Sequence, residues 1–226
     1  MMNQPVQTIA PLREGERLSR EEFERRYQAM PQVKKAELID GVVHMPSPVR
    51  ILSHATPHLV LGTWLGVYYS QTPGTLAACE PTTRLDEANE PQPDGLLMRT
   101  HGGTAEIDSE DYVCGSPELL AEIAASSGAI DRGAKRRNYE RNGVQEYVLL
   151  LMEEQRAEWH ALRNGTYELL PADEAGIVRS EVFPGLWLDT RAFFALNVAQ
   201  VLATLQQGLA SAEHAAFVAR LQGLGA

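Results

Sequence analysis

No apolar run in this 226-residue chain approaches the roughly 18 residues a membrane span needs, so none is expected. Cysteine is scarce. Cys79 and Cys114 form no CxxC and lie beside no histidine pair, which argues against structural zinc and for reduced thiols. The first residues, "MMNQPVQTIAPLREGERLS", lack a charged-then-apolar signal pattern, and together these absences lead us to expect a cytoplasmic protein. Basic charge is also in short supply: 20 Lys+Arg against 30 Asp+Glu give a formal net charge of −10. Such a balance provides no long-range attraction to nucleic acid, so any such contact must be local. Internal repeats and low-complexity tracts are absent too.

What is present is a globular composition, 44% apolar and 22% charged, long enough to bury a sizeable core. Against the acidic background one segment stands apart. "SSGAIDRGAKRRNYERNGVQEYVLLL" places Arg132, Lys135, Arg136, Arg137 and Arg141 within ten positions. Either this is a solvated helix face or it faces something negative.

Local patterns order the chain. Residues 1–18 are polar and expected to be loosely ordered. "SREEFERRYQAM" reads as a helix with Ser19 and Glu22 as a capping box. Asp40-Gly41 and Asn164-Gly165 each separate two short apolar runs, the signature of a hairpin turn whose two residues take positive φ. Residues 52–70 form an apolar helix with Pro57 in its first turn. Strands are expected in "TLAACEPTTRLD", "PQPDGLLMR", "PELLAEIAA" and "VQEYVLLL", with "HGGTAEIDSEDY" as a surface excursion. Asp131 is read as the cap of a helix that stops at Asn142-Gly143. Residues 190–222 are helical. The order predicts a mixed α/β sheet flanked by helices, in one domain over 19–190 with a C-terminal helical extension, 191–226, packed on it.

Three acids stand in or beside apolar strands, where charge is costly unless paired or used: Glu37, Asp94 and Glu122. Singly, each is best read as an acid paired with a nearby Arg or Lys. Jointly, Asp94 and Glu122 on neighbouring strands would converge on a hard cation such as Mg²⁺, with the Ile123 carbonyl as a further oxygen. Such an ion binds a phosphate and acidifies water. Lys135, one turn before Tyr139 on the same helix face, would then reach toward Glu122. His54 and His58 have metal-pair spacing without a carboxylate partner, so a structural or water-positioning role is favoured. Ser126-Ser127 lacks a GxSxG elbow, and Gly102-Gly103 lacks a following GK[ST].

The strings "AELIDGVVHM", "PQPDGLLM", "PELLAEIAASSGAIDRGAKRRNYERNGVQEYVLL" and "FPGLWLD" resemble the Uma-type restriction endonuclease family of the PD-(D/E)XK nuclease superfamily, over about residues 19–190. The resemblance implies a restriction endonuclease-like fold and a Mg²⁺-dependent (or Mn²⁺-dependent) endonuclease. It puts Asp94 at the motif aspartate and Glu122 at the acid opening (D/E)XK. Ala124 stands where the superfamily usually has lysine. The Uma-type family carries that lysine on the following helix, which matches Lys135, and Glu37 matches its recurrent hairpin acid. Asp94, Glu122, Lys135 and Glu37 are thus the expected catalytic residues. Asp94, Glu122 and Ile123 are the expected metal ligands. Arg132, Arg136, Tyr139 and His58 are the expected contacts to DNA phosphates.

Two readings stay open at this point. One is a DNA phosphodiesterase that uses a local basic patch, expected as a homodimer with no membrane role. The other is a degenerate nuclease-fold protein that binds nucleic acid or a protein without cutting, as Ala124 and the acidic balance suggest. A structural oligomer fits least, since it gives no use for acids inside apolar strands.

Overall fold

A computed structural model describes residues 9–45, 48–124 and 128–224. Helix α1 (Arg20–Gln28) precedes the hairpin β1 (Glu37–Ile39) and β2 (Val42–His44). A π-type turn, Ile51–Ala55, runs into α2 (Thr56–Gln71). Strands β3 (Thr75–Ala78), β4 (Thr83–Arg84), β5 (Gly95–Arg99), β6 (Ala105–Ile107), β7 (Val113–Gly115) and β8 (Leu119–Ala124) follow. A short helix α3 (Gly128–Ile130), a π-type turn (Asp131–Lys135) and α4 (Arg136–Asn142) lead to β9 (Glu146–Leu151). Then come β10 (Arg156–Arg163), β11 (Thr166–Leu169), β12 (Ile177–Arg179) and β13 (Trp187–Asp189), and the helices α5 (Thr190–Phe194), α6 (Val198–Leu209) and α7 (Ala212–Leu224).

The local chemistry follows the residue types. Ser19 Oγ accepts from the Glu22 amide at 3.3 Å and starts α1. Asp40 and Gly41 both take positive φ (50° and 73°), as do Asn164 and Gly165 (50° and 81°), so both hairpins turn where the sequence predicts. Gly143, at φ 82°, ends α4 in the left-handed conformation. Asp131 differs from expectation. Helical structure begins at Gly128, three residues earlier, and Asp131 is buried inside it rather than capping it. The loop 101–112 contributes β6 to a small sheet of order β4-β7-β6 instead of only excursing. Of the segment expected to be loose, the described residues 9–18 lie against the hairpin. Gly15 and Leu18 donate to Val43 and Gly41 carbonyls, and Leu12 is buried.

The main sheet has the order β11-β10-β9-β8-β5-β3. β8 and β9 are parallel, joined by the α3–α4 crossover, and the other pairs are antiparallel. Every residue of β8 and β9 is buried, as a strand covered on both faces requires. One face packs Leu97, Leu119, Ala121, Ile123, Val148 and Leu150 against Trp64 and Tyr68 of α2, Leu205 of α6 and Phe217 of α7. The opposite face packs Leu96, Leu120, Ala124, Tyr147 and Leu149 against Tyr139 of α4. The N-terminal hairpin and α1 have a separate small cluster of Leu12, Phe23, Ala36, Leu38 and Val43.

Candidate active site

The strand register decides where the acids go. β5 and β8 pair Gly95 with Ala121 and Leu96 with Leu120, and the ladder ends there, so Asp94, just before β5, lies at the ladder's end next to the strand that carries Glu122. Leu120, Glu122 and Ala124 alternate onto the α4 side of β8. Asp94 Oδ2 also accepts from the Ile123 amide at 2.7 Å, which ties it to the strand carrying Glu122. In an extended strand the N–H and C=O of one residue point to the same edge, so the Ile123 carbonyl faces the Asp94 side as well.

Glu122 is 3% exposed. Its Oε1 accepts from the Tyr139 hydroxyl at 2.8 Å and from Lys135 Nζ at 3.0 Å. Both bonds converge on one oxygen, so Oε2 is engaged by neither donor. Lys135 Nζ also lies 2.9 Å from Glu37 Oε1 and 3.8 Å from Asp131 Oδ1. Glu37 in turn accepts the Gln92 amide at 2.7 Å, which docks β1 beside the start of β5. Burial pushes Glu122 up to about 8, helped by the charges of Asp94, Asp131 and Glu37 and opposed by Lys135. Lys135 is raised as well. Glu122, Glu37 and Asp131 outweigh its burial and hold the ammonium charged well above the ordinary lysine range.

Asp94 faces a second group of cations. Its Oδ1 lies 3.5 Å from both His54 Nε2 and Lys35 Nζ. Against its burial, these two and the Ile123 amide hold its carboxyl well below the usual range. His54 is raised by Asp94, and its ring stacks on His58 at 5.9 Å. His58 Nε2 lies 2.9 Å from the Asp94 carbonyl oxygen. Cys79, followed by that carbonyl, raises His58 to about 9.

The helix positions α2 closely enough for this because β5 opens with glycine. A Cβ on Gly95 would sit 2.8 Å from Leu65 Cδ1 and 3.2 Å from Leu61 Cδ2. Ala124, where a strand lysine would stand, is 2% exposed and packs in the apolar cluster with Tyr139.

The basic segment divides. Lys135 turns inward. Arg132 contacts Glu154 and Glu158, and Arg141 contacts Asp40 and Asp86. Arg136 is half-buried, with its Nε unpartnered, and Arg137 is exposed. Tyr139, expected at a phosphate, is fully buried and gives its hydroxyl to Glu122 Oε1. Ser126 and Ser127 lie outside the described residues.

Three participants escaped the sequence reading: Lys35, His54 as an Asp94 partner, and Asp131. A signal for Lys35 existed. It stands two before Glu37, on the same side of an extended chain. Asp131 stands four before Lys135, on the same side of a helix.

Four carboxylates (Asp94, Glu122, Glu37, Asp131) therefore gather around Lys35, Lys135 and His54, which brings several oxygen donors together. That chemistry suits a hard divalent cation. Among the described residues no three His, Cys, Asp or Glu side chains form a complete cage. An ion here would be held by two carboxylates and would keep several waters, as Mg²⁺ does.

A crystal structure from Anabaena variabilis ATCC 29413, described as "a putative nuclease belonging to DUF820", superposes with a TM-score of 0.57. It is 14% identical, and the alignment covers 76% of this chain and 97% of that one. The architecture is thus restriction endonuclease-like: a mixed sheet flanked by helices. Residues 20–191 match the Uma2 family, described as "Putative restriction endonuclease", and the chain belongs to that family. No curated protein matches it. Among the described residues no helix is long and apolar enough to cross a membrane.

Proposed function

We propose that the chain is a Mg²⁺-dependent endonuclease that hydrolyses DNA phosphodiester bonds at the Asp94–Glu122 pair. One observation carries the reading. Asp94, at the entry to β5, is tied to the strand that carries Glu122 by the Ile123 amide at 2.7 Å from Asp94 Oδ2. Asp94, Glu122 and the Ile123 carbonyl would hold the ion, with Mn²⁺ as a substitute. When bound, the metal supplies Lewis-acid polarisation of the phosphate and a more acidic water.

The chain's own residues do the positioning. Lys135 neutralises Glu122 and Glu37 and fixes the Glu122 carboxylate, assisted by Tyr139. Asp94 is kept ionised by His54 and Lys35. Glu37, 12% exposed at its side chain and paired with Lys135, would accept a proton from the attacking water. Arg132, Arg136 and His58 are assigned to flanking phosphates. Arg132 would exchange Glu154 for phosphate, a small loss because an ion pair open to solvent is weak.

Calorimetric titration with Mn²⁺ tests the ion site. Wild type should bind and Glu122→Gln should lose at least about tenfold in affinity, near the 1.4 kcal/mol that a factor of ten represents. Mg²⁺-dependent nicking of supercoiled plasmid should fall in parallel. Saturable Mn²⁺ binding that is indifferent to Glu122→Gln would remove this site.

A non-cleaving binder is the second reading, and it has its own observation. Lys135 is 5% exposed and surrounded by carboxylates, so it is withdrawn from any substrate. Plasmid retarded on a gel but never nicked, with any divalent ion, would favour it.

A further inference from the structure

The two lysines of the site differ in what can reach them. Lys135 Nζ is enclosed by Glu37, Glu122 and Asp131, and its side chain is 5% exposed. Lys35 Nζ lies 3.5 Å from Asp94 Oδ1, with its side chain 20% exposed. Its second partner, Glu80 at 3.1 Å, is itself 47% exposed. Ion pairs of that kind exchange readily for a better anion. Lys35 nevertheless senses the whole site. Asp94, Glu37 and Glu122 raise its basicity against the cost of burial, and Lys135 opposes them.

We infer that Lys35 is the cation that contacts the scissile phosphate, with Glu80 as its resting partner, while Lys135 is a positioning residue for Glu122. The inference rests on the phosphodiesterase reading above. A phosphate bound beside Asp94 would arrive where Lys35 already stands. The ammonium leaves Glu80 and donates a charge-assisted hydrogen bond to a non-bridging phosphate oxygen. His54, 3.5 Å from the same Asp94 oxygen, keeps that acid paired after Lys35 moves. No such release is open to Lys135, because its departure would take the cation from buried Glu122.

The test uses the full chain with Lys35→Gln, Lys35→Arg and Glu80→Gln. Binding of a fluorescein-labelled DNA duplex in Ca²⁺ is followed by anisotropy, Mn²⁺ binding by calorimetry, and plasmid nicking in Mg²⁺ under single turnover. Loss of one charge-assisted hydrogen bond weakens binding about tenfold or more. Lys35→Gln should therefore lose that much duplex affinity while keeping or gaining Mn²⁺ affinity. Lys35→Arg should restore most of it, and Glu80→Gln should tighten duplex binding. A residue that only supports the fold would not move Lys35→Gln and Glu80→Gln in opposite directions. If wild type nicks and Lys35→Gln binds and nicks equally well, the Lys35 assignment is overturned and the nuclease reading stands. If wild type never nicks but Lys35→Gln still loses duplex affinity, the nuclease reading fails and Lys35 remains a phosphate contact. Neither nicking nor any effect of Lys35→Gln on binding overturns both.

Discussion

Lys135 illustrates how much one side chain can organise. Its ammonium is the shared counter-charge of Glu122, Glu37 and Asp131, all within 3.8 Å. Replacing it by methionine keeps the length and takes the cation from buried Glu122. Breaking a buried pair in this way costs about 3–5 kcal/mol. Lys135→Met should lower the urea midpoint by a corresponding amount with an unchanged slope, and a midpoint shift under about 1 kcal/mol would show the acids to be protonated instead. The same residues mark the limit of sequence reading. Glu146 also stands in an apolar strand, yet it points to the other face. There Trp159 Nε1, Ser180 Oγ and the amides of Glu181 and Val182 satisfy it. Glu122 and Glu146 look alike in local composition. Which one meets Asp94 is decided by a register between strands far apart in the chain, and no local pattern carries that.

At the scale of elements, the site exists because α2 approaches β5 closely and the α3–α4 crossover covers the other face. Gly95 sets the first of these contacts. Adding a methyl group there brings Cβ to 2.8 Å from Leu65 Cδ1, so α2 must shift or strain. Gly95→Ala should destabilise by about 1–3 kcal/mol, as overpacking does, measured by chemical denaturation. A neutral result would mean that the helix gives way without cost. Most element identities were legible because each rested on chemistry within a few residues: the Ser19 cap, the Asp40-Gly41 and Asn164-Gly165 turns and the Gly143 stop. The helix start at Gly128 was not. Asp131 has the composition of a cap, but its attraction to Lys135 one turn on and its burial placed it inside the helix.

Across the whole molecule, the C-terminal helices belong to the same apolar cluster as the sheet. Val201 and Leu205 of α6 and Phe217 and Leu221 of α7 are 0–6% exposed and pack with Trp64, Tyr68 and Phe183. Each such side chain contributes about 1.5–3 kcal/mol on burial, so four of them rival the 5–15 kcal/mol of a typical domain. A chain ending at Leu196 should lose its cooperative thermal transition. A sharp transition in that truncation would show that α6 and α7 are dispensable additions. The sequence suggested this packing through its Ala/Leu-rich helices, while the family likeness ends near residue 191. Family resemblance and core membership are therefore different boundaries in this protein.

The hairpin β1–β2 has its own small cluster, yet it lends Glu37 to the buried lysine and follows directly from Lys35. Two of the site's charges are thus carried on a unit that is cored separately from the sheet. The hairpin is nonetheless fastened to the segment that enters β5, where Leu38 and Glu90 exchange backbone hydrogen bonds and the Gln92 amide donates to Glu37. Any tilt of that small unit is therefore passed on to the charges around Asp94.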